Sequence, residues 1–171
     1  MVPYRIVELP SFEIAGKSAW IGGVDDSAAF GRFWEECQAN GLMATFETLS
    51  GLRPGPRTGG ATLGVSRVER DPANRSFYYM IAVECPGGSR PEGLEVYTVP
   101  ATRWAVFECR GQRPGAIVEA EMFAFGQWLP ASGGVHAAAP EMEVYPPGDE
   151  AYCEFWLPFT KKGPQNPPRG L

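Results

Sequence analysis

Near its end the chain reads Tyr152-Cys153-Glu154-Phe155-Trp156-Leu157-Pro158, a carboxylate set among large rings in a run with strand character. Successive side chains of a strand point to opposite faces, so Tyr152, Glu154 and Trp156 are expected on one surface. Cys153, Phe155 and Leu157 then share the other, which reads as core. An ionised carboxylate against apolar walls costs on the order of several kcal/mol unless a partner compensates it. The partner expected is a bound ligand, with an arginine or solvent as the ordinary alternative. Burial would raise the carboxyl's affinity for a proton while the site is empty, and an arriving cation would restore the charged form.

Little other chemical equipment is on offer. Four cysteines, Cys37, Cys85, Cys109 and Cys153, stand far apart beside apolar neighbours, with no C-x-x-C pair, and are expected as buried free thiols. His136 is the chain's one histidine, which leaves few routes to a zinc site or a Ser-His-Asp triad. Ser132 and His136 flank Gly133-Gly134, and turn chemistry explains that spacing. Gly59-Gly60 has no following Lys-Ser or Lys-Thr, so no phosphate cradle is supported. No metal and no cofactor are expected.

The net charge of −5 and the dispersed arginines argue against nucleic acid, whose phosphates need a concentrated basic footprint. No apolar run reaches membrane-span length, and the first residues lack the order of a signal peptide, so a cytoplasmic protein is expected.

The elements that must position these residues are written twice. Leu9-Pro10-Ser11-Phe12-Glu13-Ile14-Ala15-Gly16 is loosely echoed by Val99-Pro100-Ala101-Thr102-Arg103-Trp104-Ala105-Val106. After the first copy comes a helix signal, with Asp25 or Asp26 as N-cap, Phe30, Phe33, Trp34 and Cys37 at helical spacing, and Asn40-Gly41 as the stop. After the second, Pro114 opens a helix carrying Val118, Met122, Phe125 and Leu129 on its apolar stripe, and Pro130 closes it. Two strand-like runs follow each helix, about 61–68 and 77–84, then 141–145 and 151–159, each pair joined by a polar turn. The fold expected is α+β, two β-α-β-β units packed with pseudo-twofold symmetry around a central cleft, in one domain over 1–160. The halves span about 3–90 and 91–160. Residues 161–171 are expected to be a disordered tail, and Ser50 to Gly60, with Pro54 and Pro56, a surface loop.

Five pieces in this order carry a family resemblance: Tyr4 to Pro10; Val99-Pro100-Ala101 with Trp104-Ala105-Val106-Phe107; Trp128-Leu129-Pro130-Ala131-Ser132-Gly133; Glu143-Val144-Tyr145; and Glu154 to Pro158. Together they resemble the GyrI-like small-molecule (effector) binding domains, related to the effector domains of the regulators BmrR and Rob. The resemblance covers roughly residues 3 to 160. It implies a duplicated β-α-β-β fold and a cleft for lipophilic, aromatic or cationic compounds, with an acidic residue and aromatic walls. It places Glu154 as the glutamate, Trp156 two positions on, and Trp104 and Phe107 on the matching strand. The set of ligand-binding candidates is Glu154, Trp156, Tyr152, Trp104, Phe107, Tyr97 and Tyr78, the last two resting on strand position alone. Each ring also has an ordinary reading as core packing. Glu84 reads as a solvated strand-end carboxylate, and Glu119 and Glu121 as decoration of an exposed helix face.

Two functions follow. One is a standalone binding module for lipophilic cations, serving sensing, sequestration or resistance. Because only three residues precede Tyr4, direct transcription control by this chain is not expected, and a separate regulator or enzyme is left open as its partner. The other is a hydrolase of strained electrophiles such as cyclopropanoids, with Glu154 as general base and a tyrosine hydroxyl as its partner across the cleft.

Overall fold

The computed structural model describes residues 2–23, 27–50 and 55–162. The expected N-cap at Asp25 or Asp26, Pro54 of the expected loop, and most of the expected tail, from Gly163 onward, lie outside them. The chain runs β1 (Tyr4–Leu9), β2 (Phe12–Gly22), α1 (Ala28–Ala39), α2 (Leu42–Ser50), β3 (Thr62–Arg67), β4 (Ser76–Cys85), β5 (Glu95–Val99) and β6 (Thr102–Arg110). It continues through α3 (Gly115–Phe123), a π-helical turn (Ala124–Trp128), α4 (Leu129–Ser132), β7 (Gly134–His136), β8 (Glu141–Tyr145) and β9 (Tyr152–Lys161). This is an α+β fold with a single nine-stranded sheet in the order β1-β6-β9-β8-β3-β4-β2-β5, every pairing antiparallel, with β7 added on β9.

Pro10 and Pro100 have a clear structural part. β1 pairs with β6 as far as Leu9↔Thr102, and β2 takes up pairing with β5 from Phe12↔Val99. Residues 4–22 and 95–110 are thus two long strands that lie against each other and bend together at the prolines. Proline gives no N–H to a ladder, so a break in pairing falls there readily.

Two side-chain layers follow from the strand alternation. The face without helices is filled by Phe12, Ile14, Leu63, Met80, Val99, Trp104, Val106, Met142 and Trp156, drawn from both ends of the sheet. On the other face α1 and α2 cover β4 through Cys37, Leu42, Phe46, Tyr79 and Ile81, and α3 covers β6 and β9 through Ile117, Ala120, Ala124, Phe107 and Phe155. Truncating a buried ring such as Trp104 or Phe107 to alanine would cost about 3–5 kcal/mol.

Helix α1 forms where the spacing of its rings requires and stops at Asn40, with Gly41 at φ +78°. Helix α2 was not expected, since residues 42–50 show too short an apolar pattern to announce a helix. The second helix departs from expectation in two ways. Pro130 does not end it: α4 continues to Ser132, because proline in a first turn has no intrahelical bond to lose, and Gly133 at φ +72° makes the stop. Its buried stripe is Ile117, Ala120 and Ala124, whereas Val118, Met122 and Phe125 are exposed. The small alanines let the helix approach Phe107 and Phe155, and the wider π turn changes the phase of every later residue.

All four cysteines are buried and free. Ser132 bonds the Leu129 carbonyl and accepts from the Gly134 N–H, the turn role its position suggested. Glu84 is a correction: it is 4% exposed, and its carboxylate accepts the backbone N–H groups of Arg57 and Thr58 and the Thr58 hydroxyl, clasping the loop before β3. Gly55 is required beside it, since a Cβ there would overlap the Glu84 carboxylate. Among the described residues no helix is long and apolar enough to cross a membrane.

Candidate functional site

The expected site residues fall into separate places. Tyr152, Glu154, Trp156 and Trp104 do come together, on the helix-free face. Glu154 is 7% exposed and fully engaged: Arg5 donates to Oε2 at 2.8 Å, the Tyr152 hydroxyl to Oε2 at 2.7 Å, and the Trp156 indole N–H to Oε1 at 3.2 Å. Trp104 and Trp156 sit 5.6 Å apart by ring centroid, and Trp104 is wholly buried. Desolvation pushes the Glu154 carboxyl up, but the bonds from Arg5, Tyr152 and Trp156 outweigh it and the net shift is downward, opposite to the rise expected from burial alone.

Phe107 points to the helix side, buried among Tyr4, Phe123, Trp128 and Phe155. Tyr97 lies under the Arg67 guanidinium, 4.1 Å from its ring centre, and its hydroxyl donates to Glu69. Tyr78 is exposed and packs edge-on against Trp20 at 5.1 Å. None of these seven residues lines a further cleft on the helix-covered face.

That cleft, of about 810 Å³, opens on the helix face between α1 and α3, with β3, β4 and β8 as its floor. Its size lies within the range of about 300–1,000 Å³ usual for small-molecule sites. Helix α1 contributes Phe30 and Trp34, the strands contribute Phe77, Tyr79, Glu143 and Tyr145, and α3 contributes Ile117, Val118 and Glu121. Phe30 and Trp34 of α1 are only partly buried, one side of each facing this opening.

Glu143 is the centre of a hydrogen-bond set. Tyr79 donates to Oε1 at 3.0 Å, Tyr145 donates to Oε2, and the Trp34 indole N–H donates to the Tyr79 hydroxyl at 3.0 Å. Trp34 and Tyr145 meet edge to face at 5.5 Å, and Phe30 meets Tyr79 likewise at 4.8 Å. Gly64 makes room for this set, for a Cβ there would overlap the Tyr79 hydroxyl. Desolvation raises the Glu143 carboxyl above the usual carboxylate range, and the two tyrosine bonds offset only part of that. Tyr79 and Tyr145 are pushed well up as well, first by burial and then by the Glu143 charge, so both stay protonated donors. Among the described residues, no Lys, Arg or His forms an ion pair with Glu143.

The positive groups nearby are committed elsewhere. Arg75 makes a two-pronged bond to Glu141 at 3.0 and 3.1 Å, and His136 Nε2 lies 2.9 Å from the same carboxylate. Burial would raise Glu141, yet the His136 and Arg75 bonds hold it below the usual range. Arg113 donates to the carbonyls of Tyr152 and Asp149 while its guanidinium stacks 4.6 Å over Tyr145. Glu121 corrects the expectation of a solvated helix face: it is half-buried in the cleft wall and pushed up to about 8, by burial first and then by the charges of Glu143 and Glu141. Such an arrangement can hold a flat cation between rings against a carboxylate, or present a carboxylate and two phenols to an electrophile. Among the described residues no group of three or more His, Cys, Asp or Glu is placed to hold a metal ion.

Glu143 and Tyr145 were visible in sequence as a strand carboxylate with a ring two positions on, the same pattern as Glu154 and Trp156. Nothing in the sequence said which of the two faces carried helices.

Solved structures share this architecture. SAV2435, described bound to tetraphenylphosphonium, aligns with a TM-score of 0.74 at 23% identity over 92% of this chain and 94% of its own. A putative transcription regulation protein from Staphylococcus aureus MU50 aligns with a TM-score of 0.73 at 23% identity, over 95% and 100%. The C-terminal domain of EcmrR aligns with a TM-score of 0.61 at 13% identity, over 95% and 99%. No curated protein sequence matches the chain. Residues 3–160 match the GyrI-like small molecule binding domain, and with nearly its whole length inside that match the chain belongs to the GyrI-like family.

Proposed function

We propose that the protein binds lipophilic aromatic cations in the cleft between α1 and α3, with Glu143 as countercharge and Phe30, Trp34, Phe77 and Tyr145 as walls. The observation that carries this reading is a desolvated carboxylate at the cleft floor whose bonds come from hydroxyls, with no cation paired to it among the described residues. Each cation–π contact adds about 0.5–2 kcal/mol, so several rings and the carboxylate must act together for micromolar affinity. The structurally similar SAV2435 is described with a bound aromatic cation, which agrees in ligand class. Glu154, already matched by Arg5, Tyr152 and Trp156, is assigned to stability.

The strand order supports descent from two β-α-β-β units, since β1-β6-β9-β8 and β5-β2-β4-β3 run the same way from either edge. The halves would place the cleft on their seam. We assign the protein a sensing or sequestering role in the cytoplasm, in keeping with free thiols, acting through the small molecule and not on nucleic acid.

Titration with tetraphenylphosphonium, followed by Trp34 fluorescence, tests the reading. Micromolar binding is expected, weakened at least about tenfold in Glu143→Gln and little changed in Glu154→Gln, since removing the partner of a desolvated ion costs on the order of 2 kcal/mol or more. Loss in Glu154→Gln with none in Glu143→Gln would move the site to the helix-free face. A second reading, hydrolysis of a strained electrophile, draws on Tyr79 and Tyr145 beside Glu143, a base with two acid partners. Chromatography showing a water adduct that Glu143→Gln fails to form would establish it.

A further inference from the structure

The cleft holds a second acid. Glu121 projects from α3 into the wall while Glu143 lies on the β8 floor, and the two are close enough for the Glu143 charge to act on Glu121. Among the described residues Glu121 makes no hydrogen bond or ion pair. Arg75, whose charge acts on Glu121 from across the cleft, is held in both prongs by Glu141. Arg113 is spent on the carbonyls of Asp149 and Tyr152 and on the Tyr145 ring. His136 is turned to Glu141 and the Ala137 carbonyl. Two carboxyl groups thus share one aromatic opening, and among the described residues neither forms an ion pair.

We infer that Glu121 is a second cation-recognising group and that the cleft takes aromatic compounds with two separated positive centres in preference to monocations. One centre, carried on the flat ring system, lies over Glu143 between Trp34, Tyr145 and Phe77. The other, on an arm directed toward α3, meets Glu121. This rests on the proposed cleft and sharpens its ligand class. In the empty cleft Glu121 is largely protonated at neutral pH, since its carboxyl is pushed up to about 8, so the two acids do not repel at full strength. A second cationic centre displaces that proton; a single one over Glu143 relieves only part of the cause that keeps it bound.

Propidium and ethidium share a phenanthridinium ring, and propidium alone adds a quaternary ammonium on a short arm. Their fluorescence on burial allows both to be titrated against wild type, Glu121→Gln, Glu143→Gln and Glu119→Gln, the last removing an exposed charge from the same helix. Propidium is expected to bind wild type at least about fivefold tighter than ethidium, the contribution of a partly desolvated ion pair. Calorimetry at pH 7 in buffers of different ionisation enthalpy should show close to one proton released by propidium and less by ethidium. Glu121→Gln should abolish the propidium advantage and its proton release, Glu119→Gln should preserve both, and Glu143→Gln should weaken both ligands. No advantage in wild type, or an equal loss in Glu119→Gln and Glu121→Gln, overturns the inference and leaves the monocation site standing. Failure of wild type to bind ethidium, propidium or tetraphenylphosphonium overturns the cleft assignment and this inference together.

Discussion

Two glutamates of the same sheet show how neighbours decide the fate of a carboxylate. Glu154 and Glu143 lie on adjacent strands, each with a ring two positions along, yet one is lowered by a guanidinium and the other raised by burial. Opposite pH signatures follow. A carboxyl lowered in the folded state contributes stability above its ordinary value, near 4.5, and loses it as pH falls through the folded value. The gap in melting temperature between wild type and Glu154→Gln is therefore expected to be widest at neutral pH and to close below about pH 4.5. A gap that grew in acid would contradict the Arg5 assignment. Cation binding runs the other way: Glu143 is raised by burial and Glu121 is pushed up to about 8, and a carboxyl raised in the empty cleft meets a cation better as pH rises, so affinity for propidium is expected to climb from pH 5 to pH 8 and to climb less in Glu121→Gln.

At the scale of elements, a single missing methyl on β3 keeps the floor of the cleft in order. Gly64 stands between the Ile81 and Glu143 strand neighbours, and a side chain there meets the Tyr79 hydroxyl. Gly64→Ala is expected to fold, because the sheet hydrogen bonds do not need the glycine, but to displace Tyr79 from Glu143. The predicted outcome is a loss of stability of about 1–3 kcal/mol by denaturant titration and a matching loss of tetraphenylphosphonium affinity. Unchanged stability and affinity would show that Tyr79 has room to move without cost. Helix α3 teaches the complementary lesson. Along it and the π turn that follows, the exposed Val118, Met122 and Phe125 share helical spacing, while the residues that pack are Ile117 and the small Ala120 and Ala124, which let the helix come close.

For the molecule as a whole, the exchange at Pro10 and Pro100 binds the two ends of the sheet together. β1 is first in the chain, but its hydrogen bonds go to β6, and those of β5 go to β2. A chain lacking residues 2–10 would leave the β6 edge and Trp104 uncovered on that side. Its melting temperature is expected to fall by about 10 °C or more, with wild type unfolding in one cooperative transition. Two separate transitions in wild type would mean that the ends of the sheet are independent.

How much of this could be read from the chain itself is clear element by element. The α+β class, helix α1 to its Asn40-Gly41 stop, β8, and the strand carrying Glu154 all follow from local signals: ring spacing, turn residues and alternation act over a few positions and are present in the linear text. The family was legible too, because five short pieces keep their order. Which carboxylate faces the cleft was not, since alternation sorts residues onto two faces without saying which face the helices cover. Arg5 lies 149 positions from Glu154, and Tyr79 lies 64 from Glu143, so no local rule joins them. The sequence by itself determined most of the elements, α2 excepted, and the stock of rings and acids; the tertiary structure alone decided their partners, because charge and desolvation depend on distance through space, and pairing of strands distant in sequence sets those distances.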